Sequence, residues 1–154
     1  MLQLNLKVLI LCFSAIFLLS ACQNQYVSKP NQPTEAALVA TSVDNGLSTE
    51  LDINYKDAFK NLRQAYGQCI AFTGEDDFVF TDNKLDEQLA MGTLFARTEG
   101  GAYLSKTLVE SVDTNRTRLT LFLSADYKFA HSRFKQDTKR ALGLDSQCNT
   151  AKLL

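Results

Sequence analysis

The sequence holds no tryptophan, one histidine and two prolines, and none of its seven glycines opens a phosphate-cradling loop. Each shortage narrows the functions open to the chain. Without tryptophan the case for sugar stacking weakens. The lone imidazole, His131, sits between Ala130 and Ser132-Arg133. It has no acid partner that sequence can assign, so it reads as a surface residue. Neither a GxSxG elbow nor an HExxH pair occurs. Long apolar runs are missing too. The longest, Val8–Leu19 with Ser14 inside it, is 12 residues, where a membrane-spanning helix needs roughly 20. Positive charge is not in excess, with 16 basic against 17 acidic residues, which argues against nucleic acid as a partner. This inventory leads us to expect no enzyme and no cofactor.

What is present begins at the N-terminus. One cation, Lys7, precedes the apolar stretch, which ends in Leu19-Ser20-Ala21-Cys22. A charged start, a short apolar run and small residues before a cut site follow the order of a secretory signal peptide. These last four residues resemble the lipobox of bacterial lipoproteins. The resemblance implies that the Cys22 thiol takes diacylglycerol through a thioether, that residues 1–21 are removed, and that the new amino terminus is acylated. Each buried CH₂ contributes about 0.8 kcal/mol, so one acyl chain binds marginally and two or more anchor stably. Gln23 follows, where an aspartate tends in that family to retain the protein at the inner membrane. The resemblance therefore implies an outer-membrane lipoprotein facing the periplasm, with the membrane itself as its first partner.

Removing residues 1–21 leaves 133 residues with a net charge of −2, enough for one domain and a tail. Of the four cysteines, Cys12 leaves with the signal and Cys22 carries lipid. Cys69 and Cys148 remain, an even pair in an oxidising compartment, and a disulfide is the natural reading. A metal site is the rival, but the pair has no CxxC spacing and only one histidine to join it. Redox-active pairs usually sit two residues apart. A Cys69–Cys148 bridge would close a loop of about 80 residues and contribute roughly 4–5 kcal/mol on the chain-entropy model.

Residues 22–50 read as the lipidated N-terminus and a flexible tether. Pro30 and Pro33 fall here among Asn, Gln, Ser and Thr, a composition that buries too little apolar surface to offset its ordering entropy. A coil of about 25 residues spans roughly 25–30 Å. Its apolar piece, AALVA at 36–40, has an alternative as an edge strand on the domain.

The domain is expected over 51–154. Tyr55, Phe59, Leu62, Ala65, Tyr66, Cys69 and Ile70 recur at helical spacing, with Asn54 as N-cap and Gly74 at the exit. Strands are expected at 78–82, 88–98, 103–112 and 116–124. Gly100-Gly101 and Asp113-Thr114-Asn115 supply the turns. A two-residue Gly-Gly turn sets Phe95 opposite Lys106 and Met91 opposite Glu110. Those pairings sort core from solvent poorly, so a longer loop or a bulge is expected. A last helix starts from Ser124 or Asp126, places Phe129, Ala130, Phe134, Ala141 and Leu142 on its apolar side, and stops at Gly143. The fold class is α+β: an antiparallel meander of about four strands, with an N-terminal and a C-terminal helix on one face, stapled by the disulfide. The layout resembles the helix-grip domains of some outer-membrane assembly lipoproteins. The stretch from Tyr55 to Cys148 also resembles small two-cysteine envelope lipoproteins of Gram-negative bacteria with no assigned activity.

The remaining candidate groups read as structural. Glu75-Asp76-Asp77 lacks the alternating spacing of a calcium loop and reads as a solvated turn. Glu110 and Asp113 straddle a strand end, with nothing to fix the separation a hydrolase pair needs. Phe72, Phe78, Phe80, Tyr103 and Tyr127 read as core rather than as a ligand pocket. The expected function is that of a membrane-anchored envelope lipoprotein, a binding or accessory scaffold module for an envelope protein. One alternative is a small-molecule or lipid carrier, whose sign is an open pocket between helices and sheet. The other is a small cell-wall hydrolase, whose sign is convergent polar groups in a cleft.

Overall fold

The computed structural model describes residues 33–69 and 79–145, with Cys69, Val79 and Phe80 described by their backbone alone. Along the chain come helix α1 (Glu35–Ala40), a 3₁₀ turn (Val43–Asn45), strand β1 (Leu47–Leu51), helix α2 (Tyr55–Cys69), strands β2 (Val79–Asp86), β3 (Met91–Thr98), β4 (Tyr103–Ser111) and β5 (Thr117–Leu123), and helix α3 (Ala130–Ala141). The strands form one antiparallel sheet in the order β1-β5-β4-β3-β2. The protein is thus α+β, with five strands where about four were expected.

Helix α2 forms where the sequence pattern places it. Asn54 Oδ1 accepts from the Lys56 amide at 2.9 Å, while its Nδ2 donates to the Thr114 carbonyl at 2.9 Å. One side chain therefore satisfies an orphan helix donor and ties the helix start to the β4–β5 turn. The stripe Tyr55, Phe59, Leu62 and Tyr66 is buried against Leu94, Val109 and Leu119 of the sheet. Helix α3 joins the same core through Ala141, and Asn61 of α2 donates to the Ala141 carbonyl at 3.0 Å.

Two expectations are corrected at the N-terminal side. From Thr34 the chain is part of the domain, not tether. Thr34 caps α1 by accepting from the Ala37 amide at 3.1 Å, and Leu38 is only 2 % exposed. AALVA is helix rather than edge strand. The edge strand is the next segment, LSTEL, which turns Leu47 and Leu51 inward and pairs with β5 along its length.

The β3–β4 hairpin resolves the awkward pairing in both ways at once. Its loop is Glu99-Gly100-Gly101, closed by the Thr98 amide donating to the Ala102 carbonyl at 3.0 Å, with Gly101 at φ +90°. A bulge then leaves Leu104 unpaired between Ala96↔Ser105 and Arg97↔Tyr103. The two offsets cancel, and Phe95 lies opposite Lys106 and Met91 opposite Glu110. The pairing is tolerable because the outer face of the sheet is mixed. Lys106 Nζ lies 5.9 Å from the ring centres of both Phe95 and Phe122 and bonds Glu35 Oε1 at 2.6 Å.

Helix α3 starts later than expected. Ser124 Oγ accepts from the Asp126 amide at 3.3 Å, which caps a turn instead of the helix, and Phe129 precedes the helix with 67 % of its surface exposed. The C-terminal end is as read. Gly143 sits at φ +72°, its amide donates to the Arg140 carbonyl, and the Leu144 amide reaches back to Lys139. Both orphan carbonyls are satisfied in this arrangement.

Candidate functional site

At one end of the sheet a cavity of about 430 Å³ opens between α1, the β3–β4 hairpin and the segment leading into α3. Three local features create it. Ala96 and Ser105 put small side chains on the inner face. The bulge at Leu104 turns the end of β4 away from its register. The late start of α3 leaves 124–129 as an open rim that carries Tyr127. The chain before β1 lies across this end and is pinned at three points. The Tyr103 amide donates to the Pro33 carbonyl at 2.9 Å, the Ala125 amide donates to the Thr41 carbonyl at 3.1 Å, and Ser42 pairs with Ser124 in an isolated antiparallel bridge. Leu38 and Thr41 thereby become walls of the cavity.

One wall is charged. Arg133 lines the cavity from the first turns of α3. Its Nε donates to Asp137 Oδ2 at 2.9 Å, and its guanidinium carbon lies 5.2 Å from the centre of the Tyr66 ring. Behind it is a buried polar cluster. Asp137, fully buried, accepts from the Tyr66 hydroxyl at 2.6 Å and, through Oδ1, from Arg140 Nη1 at 3.0 Å. The Tyr66 oxygen is also 2.9 Å from Thr107 Oγ1. Its single proton goes to the carboxylate, so the threonine hydroxyl donates to it. Burying a carboxylate is costly unless it is paired and hydrogen-bonded, and both carboxylate oxygens are engaged here.

Burial, and then the neighbouring Asp137 charge, push the Tyr66 phenol far above its ordinary value. Burial pulls the Arg133 guanidinium down, but Asp137 and Tyr66 more than offset this and hold it charged. Two guanidiniums, those of Arg133 and Arg140, converge on this one carboxylate.

Of the residues singled out in the sequence, Tyr103 and Tyr127 line this cavity, where a core role was expected. His131 is exposed, with Nε2 3.6 Å from Asp44 Oδ2. Asp113 closes the β4–β5 turn, accepting from the Asn115 and Arg116 amides at 2.9 Å and from Arg116 Nε at 2.7 Å. The Arg116 side chain, then the Asn115 amide, hold its carboxyl below the ordinary value. Glu110 sits on β4 opposite Met91 and Arg118. Cys22 and the lipobox, Phe72, Glu75-Asp76-Asp77, Phe78, Cys148 and the side chains of Cys69 and Phe80 lie outside the described residues.

The cluster behind Arg133 was missed in the sequence. A signal for it exists: Ala130, Phe134, Asp137 and Ala141 follow steps of four, three and four, which puts Asp137 on the buried stripe of its helix. Among the described residues no group of three or more His, Cys, Asp and Glu side chains gathers as a metal site. None of the described helices is long and apolar enough to cross a membrane. No protein-family model matches the chain, and no curated protein matches it.

Proposed function

We propose that the protein is a membrane-anchored binding module of the bacterial envelope whose domain takes a small apolar ligand in the cavity beneath α1. The observation that carries this reading is the cavity itself. Its volume of about 430 Å³ falls in the range of roughly 300–1,000 Å³ typical of ligand sites, which are mostly apolar with a few placed polar groups. Leu38, Leu104 and Leu123 supply apolar wall, and Ser105, Ser124 and Arg133 supply the polar points. A scaffold acting only through its surface has no use for such a space. The exposed side chains of Leu104 and Tyr127 border the cavity, and Phe129 packs edge-on to Tyr127 at 6.1 Å. This apolar rim suits a greasy ligand passing through it. None of the described lining residues is a carboxylate or a histidine, which favours binding over hydrolysis. The anchor rests on the lipobox resemblance of Leu19-Ser20-Ala21-Cys22. It would raise the domain's effective concentration near membrane-derived ligands.

Native mass spectrometry of the full mature chain, purified gently from its envelope fraction, tests the reading. A bound small molecule is expected on the wild type and absent from Ser105→Leu, which fills the cavity. A chain that is empty in the wild type, or an adduct undiminished in the variant, overturns it in favour of the scaffold.

A further inference from the structure

We infer that the cavity selects a single apolar chain ending in an anion, with Arg133 receiving the anionic end. The inference deepens the binding reading and rests on it. Arg133 is the charged residue among those described as lining the cavity. Arg133 does not have Asp137 to itself, since Arg140 bonds the same carboxylate, and an incoming anion would give it a further charged partner. Two other cations near that end of the sheet are already paired: Lys106 with Glu35 at 2.6 Å, and Arg97, which lies over the Tyr103 ring, with Asp82 at 2.9 Å.

The guanidinium is also held in place before any ligand arrives. Asp137 fixes its Nε and the Tyr66 ring supports its face, so little side-chain entropy is lost on binding. Its two Nη groups carry four further donors in the planar fork that suits carboxylate and phosphate. The hydroxyls of Ser105 and Ser124 add neutral partners on the same walls. The rest of the lining is mostly apolar, with Leu38, Ala96 and Leu123 among it, and suits a hydrocarbon chain. An ammonium in that position would face the like charge of the Arg133 guanidinium. A neutral head would offer the guanidinium no opposite charge.

Competition against a fluorescent fatty acid tests this on the full chain carrying Cys22→Ser, purified without detergent. The competitors are decanoate, decyl phosphate, decanol and decyltrimethylammonium, which share one chain and differ in the head. Both anions are expected to bind at least tenfold more tightly than decanol, as a charge-assisted hydrogen bond warrants, and the ammonium weakest of all. The ratio of decanoate to decyl phosphate assigns the head to a carboxylate or a phosphate. In Arg133→Met the preference for anions over decanol is expected to vanish while decanol binding persists. Arg133→Lys, which keeps the charge and loses the fork, is expected to retain part of it. If decanol binds the wild type as tightly as decanoate, the head-group inference falls and the binding reading stands. If none of the four displaces the probe, the binding reading falls with it. The wild-type series needs no variant, so a folding defect in Arg133→Met leaves the outcome decisive.

Discussion

Tyr66 joins the fold to the site. Its ring packs in the core between α2 and the sheet, and its face supports Arg133. Its hydroxyl links Thr107 on β4 to Asp137 on α3. Losing that hydroxyl removes a hydrogen bond to a buried charged group, an interaction worth about 1.5–3 kcal/mol. The pH dependence follows from the direction of its shift. The folded-state phenol lies far above its ordinary value of 10.0, chiefly through burial. Above about pH 10 the unfolded chain therefore releases this proton and the folded chain keeps it, so the folded state binds more protons and stability falls as pH rises. Below the unfolded value the contribution is fully present. We predict that Tyr66→Phe is less stable than the wild type at neutral pH and loses stability less steeply between about pH 9 and about pH 11. Urea unfolding at several pH values reads both effects, and parallel curves for the two proteins would show that Tyr66 titrates freely in the folded state.

At the scale of elements, spacing governs. Strand β3 carries Gly92 opposite Val109, and a Cβ built there would come within 2.4 Å of Phe59 Cδ2. Its φ is ordinary, so the need for glycine is one of space: α2 lies close over the sheet, and the Phe59 ring fills the place of the missing side chain. Gly92→Ala is expected to cost about 1–3 kcal/mol through overpacking, and less in a Phe59→Leu background, since the two positions share one volume. Urea midpoints of the four proteins in that cycle measure the coupling; additive costs would mean that the ring moves aside freely. The same balance of long and short signals explains what the sequence revealed. Helix α2 was legible because it has a four-turn apolar stripe and a capping Asn54. Helix α1 has six residues and β1 five, too few to show a period, and both follow a proline-bearing polar run that suggests a tether. The sequence casts doubt on the β3–β4 register of a two-residue turn, in favour of a longer loop or a bulge; the register holds because both irregularities occur and cancel, which the sequence does not show.

For the whole molecule, the site joins three stretches far apart in sequence: Pro33–Thr41, the β3–β4 hairpin, and the run from Leu123 to Arg133. Tyr103 and Tyr127 drew notice as aromatics, yet the space beside them arises from a bulge and a delayed helix start, which residue periodicity does not encode. Arg133 and Asp137 escaped notice because charges on a helix are ordinarily solvated. The early start of the domain also bears on the proposed anchor. With Pro33 already at the cavity, 11 residue steps separate it from Cys22. Such a length reaches at most about 40 Å when fully extended. If Cys22 carries lipid, that reach bounds how far the cavity can stand from the bilayer. We predict that Cys22→Ser moves the protein from the membrane fraction to the soluble periplasmic fraction while the isolated protein still binds decanoate. Fractionation and the competition measurement together separate anchoring from binding. Retention of Cys22→Ser on washed membranes would remove the lipid anchor and, with it, the reason to look for the ligand at the bilayer surface.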